Sequence, residues 1–257
     1  MTLNVPTRHN EKLKALVSAI DADVELGQWW KCANVNVVDR QGMTDHGAVH
    51  IRIVCNAALK LLRLLVDAGV QTSVEANYGM TAEDAEVIVV AASALHDIGI
   101  AVHRANHEQL SLPLAASILP RLLADIYAPA ERVIIEAETL HAIAAHRWDQ
   151  KCLTLESGVV KVADALDMTQ GRSRIPYEMG ETSIHTISAA AIDAVHLLAG
   201  QEKPIRIEIE MSNSAGVFQV DELLKRKLRN SSIAPYVEVV AEIEGETEKR
   251  LLEFYEI

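Results

Sequence analysis

Through most of the first two hundred residues, apolar positions recur at helical spacing. Leu13, Leu16, Val17 and Ile20 form one stripe of a helix predicted over residues 10–30, closed by Trp29 and Trp30. The stretch NVNVVDRQGMTDHG is polar and glycine-containing and reads as a loop, with Asp45 placed to cap the next helix. That helix, predicted over residues 49–67, carries Val54, Ala57, Ala58, Leu61 and Leu65 on one face, and His50 lies on the same face. Residues 70–80 read as a connection. Thr81 with Asp84 has the spacing of a capping box and starts a helix through Val87, Val90 and Ala94 into His96-Asp97. A further helix is predicted to begin at His107 or Ser111, and Pro120 and Pro129 punctuate the segments after it. From Ala130 a stripe of Ile134, Ala137, His141 and Ala144 predicts the next helix, with His146 near its end and a turn at Trp148-Asp149-Gln150. Residues 159–166 are small and apolar but include Asp164, and Asp167 comes three positions later on the same face.

The period changes after Pro204. Ile205, Ile207 and Ile209 alternate with charged residues, which marks a half-buried strand. Val220, Leu223, Leu224 and Leu228 return to helical spacing. Val237, Val239, Ala241 and Ile243 alternate again, and Leu251 to Ile257 is predicted to return as a partner strand. The expected architecture is mainly α, a helical domain over residues 1–200 followed by a small β-α-β-β (α+β) unit over residues 204–257. That unit is too small to bury much alone, so it is expected to pack on the helices or pair with its copy in a homodimer.

Composition narrows the function classes. With 257 residues, 49% of them hydrophobic, the chain can bury a sizeable core. No run reaches the roughly 18 apolar residues of a membrane span, and residues 1–17 lack the pattern of a secretory signal. Cys32, Cys55 and Cys152 are scattered and fit no disulfide framework, so a reducing cytoplasmic setting is expected. A formal charge of −12 argues against general nucleic-acid binding.

His50, His96, Asp97, His146 and Asp164 all point inward from separate segments, and cores rarely keep so many ionisable groups unpaired. A mixed imidazole and carboxylate set suits a divalent Mn, Fe, Co, Ni or Zn ion, and Mg less well as imidazoles accumulate. If His107 joins, a second metal fits, with Asp97 as the bridge.

At this point the chain resembles the HD superfamily of metal-dependent phosphohydrolases. The order His50, His96-Asp97, Asp164 matches that family's H…HD…D pattern, and the local text DHGAVH, ALHDIG, AIAAH and VADALD agrees over roughly residues 40–175. The resemblance implies an HD-type helical bundle whose metal centre hydrolyses phosphomonoesters or phosphodiesters, often of nucleotides. His50, His96, Asp97 and Asp164 would be the primary metal ligands, with His50 favoured over His46 for the first position. His107 and His146 would be second-metal ligands or phosphate contacts, giving one tight site and a weaker second. A metal-activated water would attack phosphorus, with Asp97 fixing the metal and accepting the water proton. Arg104, Arg147, Arg172 and Arg174 are the candidates to bind phosphate by forked hydrogen bonds.

Two departures bear on this expectation. Many family members have Lys where this chain has Ile100, and some two-metal members have paired His where this chain has His146-Arg147. An alternative is a non-catalytic nucleotide-sensing protein that signals through its C-terminal unit. A metal-containing oxygenase on the same scaffold is a minor third reading.

Overall fold

Asp23 splits the first predicted helix in two. The computed structural model describes residues 2–169 and 188–243. In it α1 (Glu11–Ala22) ends at Asp23, whose carboxylate then accepts the Leu26 N–H at 2.9 Å and caps α2 (Val24–Asn34). The first part of the stretch predicted as a loop instead continues the helix and closes with a π-helical turn, Val35–Asp39, and residues 40–47 form the loop. Its Asn36 amide donates to the carbonyls of Ile100 and Ala101, both at 2.8 Å, so the turn braces the chain just beyond the His-Asp doublet.

The next helix, α3 (Ala48–Asp67), begins where predicted, with Asp45 Oδ1 accepting the backbone N–H groups of Gly47 and His50. The predicted connection at 70–80 contains a short helix, α4 (Ser73–Tyr78). A Thr72–Glu75 capping box starts it and Gly79, at φ 66°, ends it. The Thr81–Asp84 capping box is formed and opens α5 (Ala82–Leu95). Every residue of α5 from Val87 to Leu95 is buried, which is the signature of a central helix. Around it pack α1, α3, α7 (Pro129–Ala145) and α8 (Leu155–Ala165).

Pro129 occupies the first turn of α7, as its missing N–H favours. Pro120 does not end a segment. It lies with Pro113 inside α6 (His107–Leu123), where burial of Ile118, Leu119, Leu122 and Leu123 outweighs the lost hydrogen bonds. The face of α7 also differs from the predicted stripe. Its buried residues are Ile135, Glu138, Thr139, Ala142, Ile143 and Ala145, while Ala137 is exposed and His141 only partly covered. His141 accepts the Leu153 N–H at 3.2 Å and takes no part in the cluster of inward-facing histidines.

The C-terminal sheet begins earlier than the sequence suggests. Strand β1 (Ile192–Ala199) pairs antiparallel with β2 (Ile205–Met211), which pairs parallel with β3 (Val237–Ile243). The helical run over residues 216–229 makes the crossover that parallel pairing requires. The strand predicted for Leu251 to Ile257 lies outside the described residues. Ile205, Ile207, Ile209 and Met211 face the same continuous core as the helices, and α3 touches β1 and β2, so the sheet packs on the bundle. Among the described residues, no helix is long and apolar enough to cross a membrane.

Candidate metal centre

Five helix ends meet at one point. His50 lies in the first turn of α3, and His107 is the first residue of α6. His96 caps the C-terminus of α5, His146 caps that of α7, and Asp164 sits in the last turn of α8. The C-terminal ends of α5, α7 and α8 bring negative potential there, partly offset by the N-terminal ends of α3 and α6. Asp97 adjoins His96 and is itself buried. The six residues expected to ligate metal are therefore brought together from five separate segments.

The placement of the doublet depends on close backbone contacts. Trp30 Nε1 donates to the Ala94 carbonyl at 2.9 Å and fixes the last turn of α5. Ser111 Oγ donates to the His96 carbonyl at 2.6 Å and accepts the Gly99 N–H at 2.9 Å. A Cβ on Gly99 would collide with the backbone of His107 and Ser111, so glycine is what lets α6 deliver His107 to Asp97. We expect Gly99→Ala to cost about 1–3 kcal/mol, the range for overpacking a close contact. It should also weaken metal binding that depends on His107. Thermal unfolding with and without added metal reads both effects, and an unchanged midpoint would contradict the assigned contact.

The donor atoms are spaced as a metal shell requires. His50 Nε2 lies 3.3 Å from His96 Nε2, 3.3 Å from Asp164 Oδ1 and 3.5 Å from Asp97 Oδ2. His96 Nε2 lies 3.4 Å from Asp97 Oδ2 and 3.7 Å from Asp164 Oδ1. Ligand bonds of about 2.0–2.2 Å put neighbouring donors roughly 3.0–3.5 Å apart. On the other side of Asp97, Oδ1 lies 3.0 Å from His107 Nε2 and 3.8 Å from His146 Nε2, and those two imidazole nitrogens are 3.4 Å apart. One buried carboxylate thus offers a different oxygen to each of two imidazole pairs.

The outer ring nitrogens decide what the inner ones can do. His50 Nδ1 donates to Asp167 Oδ2 at 2.6 Å, His96 Nδ1 to the Ser93 carbonyl at 2.8 Å, and His146 Nδ1 to the Ile143 carbonyl at 2.6 Å. A neutral imidazole that donates through Nδ1 carries its lone pair on Nε2. His50 and His96 then present two lone pairs to each other at 3.3 Å, alongside carboxylate oxygens. That arrangement is repulsive on its own and favourable around a cation, so the residues fit a divalent metal. At His107 the pattern is mixed, because Nδ1 faces both the Arg104 carbonyl at 3.1 Å and the Arg104 guanidinium at 2.9 Å.

The electrostatics reflect this crowding. Burial would raise the Asp97 carboxyl, but the imidazoles of His96 and His46 and hydrogen bonds from His107 and His46 hold it well below the usual range. Burial would likewise raise Asp164, but the Lys227 ammonium holds it well below the usual range. Burial together with the neighbouring His96 and His107 pushes His146 well below the ordinary imidazole value, keeping it neutral as a ligand must be.

Three residues carry more of the site than their sequence context signals. His46 Nδ1 lies 2.7 Å from Asp97 Oδ2, beside rather than in place of His50, and it holds the carboxylate in position. Asp167 shares a helix face with Asp164 in the sequence pattern, and in the structure it orients His50. A carboxylate behind a ligating imidazole fixes its tautomer and raises its basicity, and losing one typically weakens metal affinity about 10–100-fold. We expect that loss in Asp167→Asn, measured by metal titration, whereas affinity equal to that of the unaltered protein would remove Asp167 from the site. Lys227, from the C-terminal unit, touches Asp164 and carries no local signal in the sequence.

The arginine candidates fare unevenly. Arg104 lies against His107. Arg147 is held by Asp149 at 2.7 Å and reaches Asn106 at 3.4 Å. Arg172 and Arg174 lie outside the described residues. Ile100 is fully buried and packs beside Ala33 and Val37.

Comparison with known proteins agrees with this geometry. The HD domain family matches residues 54–169, beginning four residues after His50. MJ1020, an uncharacterized protein of Methanocaldococcus jannaschii, is 40% identical over 233 residues, covering 91% of this chain and 90% of that protein. Groups that could hold a metal ion include His50, His96 and Asp164 together, and His96, Asp97 and His146 together. By sequence match and by the residues it gathers, the chain belongs to the HD superfamily of metal-dependent phosphohydrolases.

Proposed function

We propose that the protein hydrolyses a phosphomonoester or phosphodiester bond in a nucleotide-like substrate. His50, His96, Asp97 and Asp164 would hold a tightly bound divalent metal. Asp97, His107 and His146 would hold a second, weaker one. The observation that carries this reading is the single buried carboxylate of Asp97, one oxygen facing His50 and His96 and the other facing His107 and His146. When bound, the metal would supply Lewis acidity to the phosphoryl group and a water of lowered pKa.

The chain's own residues prepare the site for that chemistry. Asp167, the Ser93 carbonyl and the Ile143 carbonyl hold three imidazoles with Nε2 inward. His46 keeps Asp97 from turning away. Arg104, lying against His107, is placed to meet a substrate phosphate. In the reaction a water oxygen bonds to phosphorus, the ester P–O bond breaks, and the departing oxygen takes up a proton. Asp97, held well below the usual carboxylate range and with each oxygen turned to an imidazole pair, suits a ligand better than the base for the water's proton.

A second reading has one observation behind it. Ile100 is buried and apolar where many members of the family have Lys, so that position brings no positive charge, which suits a protein that binds a nucleotide without turning it over. Turnover separates the two. Metal-stripped protein reloaded in turn with Mn, Co, Ni, Zn and Mg is offered an aryl phosphate and a bis-aryl phosphate. Metal-dependent release that disappears with chelator supports the enzyme. Full metal loading with no release from either ester, or from a panel of nucleotides, supports the sensor.

A further inference from the structure

The C-terminal unit reaches into the metal centre. Lys227 Nζ contacts Asp164 Oδ2 across 63 residues of sequence, and both side chains are largely buried. Asp164 therefore divides its carboxylate, with Oδ1 facing His50 and His96 and Oδ2 facing the Lys227 ammonium. Lys227 stands one carboxylate away from the imidazole pair.

Its position is built. The Arg226–Arg229 turn packs on α8 and on the segment before it. Asn230 donates to the Trp148 carbonyl and accepts the Cys152 N–H, both at 2.9 Å. Ser231 Oγ donates to the Gly158 carbonyl at 3.1 Å, and Ser232 Oγ donates to that of Thr154 at 2.6 Å. A Cβ on Gly158 would collide with the hydroxyls of Ser231 and Ser232, so glycine lets these two serines seat on α8. The Arg226 guanidinium lies 5.5 Å from the centre of the Trp148 ring and steadies the same turn.

Charge gives this placement a purpose. The centre gathers Asp97, Asp164 and Asp167 in a chain of formal charge −12, and a phosphate anion needs positive partners to enter it. Ile100 cannot supply one, Arg147 is engaged by Asp149, and Arg104 lies against His107 on the other side of Asp97, which leaves the Asp164 side to Lys227. An ammonium has three donors, and Asp164 is the described partner of one of them. A lone buried ion pair contributes little to stability alone.

We propose that Lys227 is a phosphate-binding residue of this centre, so that the C-terminal unit completes the active site rather than merely covering the bundle. This rests on the phosphohydrolase reading. It adds that the positive charge met elsewhere in the family by the residue after HDIG arrives here from a different part of the chain.

The test uses the full chain loaded with Mn and titrated with inorganic phosphate by calorimetry, for the unaltered protein, Lys227→Met and Lys227→Arg. A hydrogen bond to a charged group is worth about ten- to a hundredfold in affinity. Phosphate should bind that much more weakly to Lys227→Met and be largely restored in Lys227→Arg, and its loss should exceed any loss of Mn affinity, since Lys227 meets the metal only through Asp164. With an aryl phosphate as substrate, KM should rise in step. Should Lys227→Met unfold, Lys227→Gln, which keeps a donor for Asp164, carries the same expectation. Unchanged phosphate affinity overturns the proposal. So does parallel loss of Mn and phosphate, which would make Lys227 a positioning residue for Asp164. If the unaltered protein hydrolyses aryl phosphate while Lys227→Met binds phosphate normally, this proposal fails and the phosphohydrolase reading stands. If the Mn-loaded unaltered protein binds no phosphate, both fail.

Discussion

Replacing His96 and Asp97 together with alanine is expected to leave the purified protein without tightly bound metal and to lower phosphate-ester hydrolysis by about a thousandfold or more. The magnitude comes from the role assigned to the ion. Lewis-acid stabilisation and an activated water are together worth several kcal/mol of barrier, and each 1.4 kcal/mol is about tenfold in rate. Asp97 contributes an oxygen to both imidazole pairs, and His96 faces Asp97, Asp164 and His50, so none of the neighbouring side chains takes over. The double variant should still fold. It removes mutually repelling buried lone pairs and a buried carboxylate together, leaving the apolar burial of α5 intact. Metal content of the folded variant by elemental analysis checks the expectation. A variant that stays folded and retains one equivalent of metal would contradict the ligand assignment.

The second large effect concerns His146. We expect His146→Ala to keep the first metal, lose the second, and lower activity about ten- to a hundredfold. His146 Nε2 is 3.8 Å from Asp97 Oδ1, on the far side of the carboxylate from His50. Its partner His107 is the less committed ligand. Its Nε2 shares a hydrogen bond with Asp97 Oδ1 at 3.0 Å, and its Nδ1 is contested by the carbonyl and guanidinium of Arg104. Burial would lower the His107 value, but its hydrogen bond and charge interaction with Asp97 outweigh that and raise it. A metal must displace that proton before it can bind, so second-site occupancy should fall as pH drops through the His107 value and rise above it. Titration of metal-stripped protein at two pH values measures this. Two equal, tight equivalents insensitive to pH, or loss of all metal in His146→Ala, would contradict the two-tier site.

Much of this centre was legible in the sequence because its strongest signals are local. The Thr81–Asp84 box fixes the start of α5, and the helix then places His96-Asp97 at its end. His50 keeps company with Val54 and Leu61 on one face of α3, so its inward direction needs no tertiary information. The strands at Ile205 and Val237 alternate cleanly and form as predicted. The parts that escaped depend on contacts between distant segments. On α7 the buried face includes Glu138 and Thr139, so a stripe counted from apolar residues alone is displaced by about one position. Strand β1 has a register irregularity between Ile192 and Ala194 that breaks its alternation. The Val35–Asp39 turn escaped because the contact that holds it, Asn36 on the backbone at Ile100, comes from a distant segment. Lys227 sits in a basic run that reads as a solvated surface, and only the clasp of Ser231 and Ser232 on α8 turns it toward Asp164.

The account rests most heavily on a metal lying between His50, His96, Asp97 and Asp164. Crystals soaked in Mn and measured with anomalous scattering test that directly. The account predicts a strong peak bounded by those four side chains, with a weaker one between His107 and His146 that grows with Mn concentration. A fully soaked crystal with no peak among the four residues, or with its strongest peak elsewhere on the chain, would contradict it.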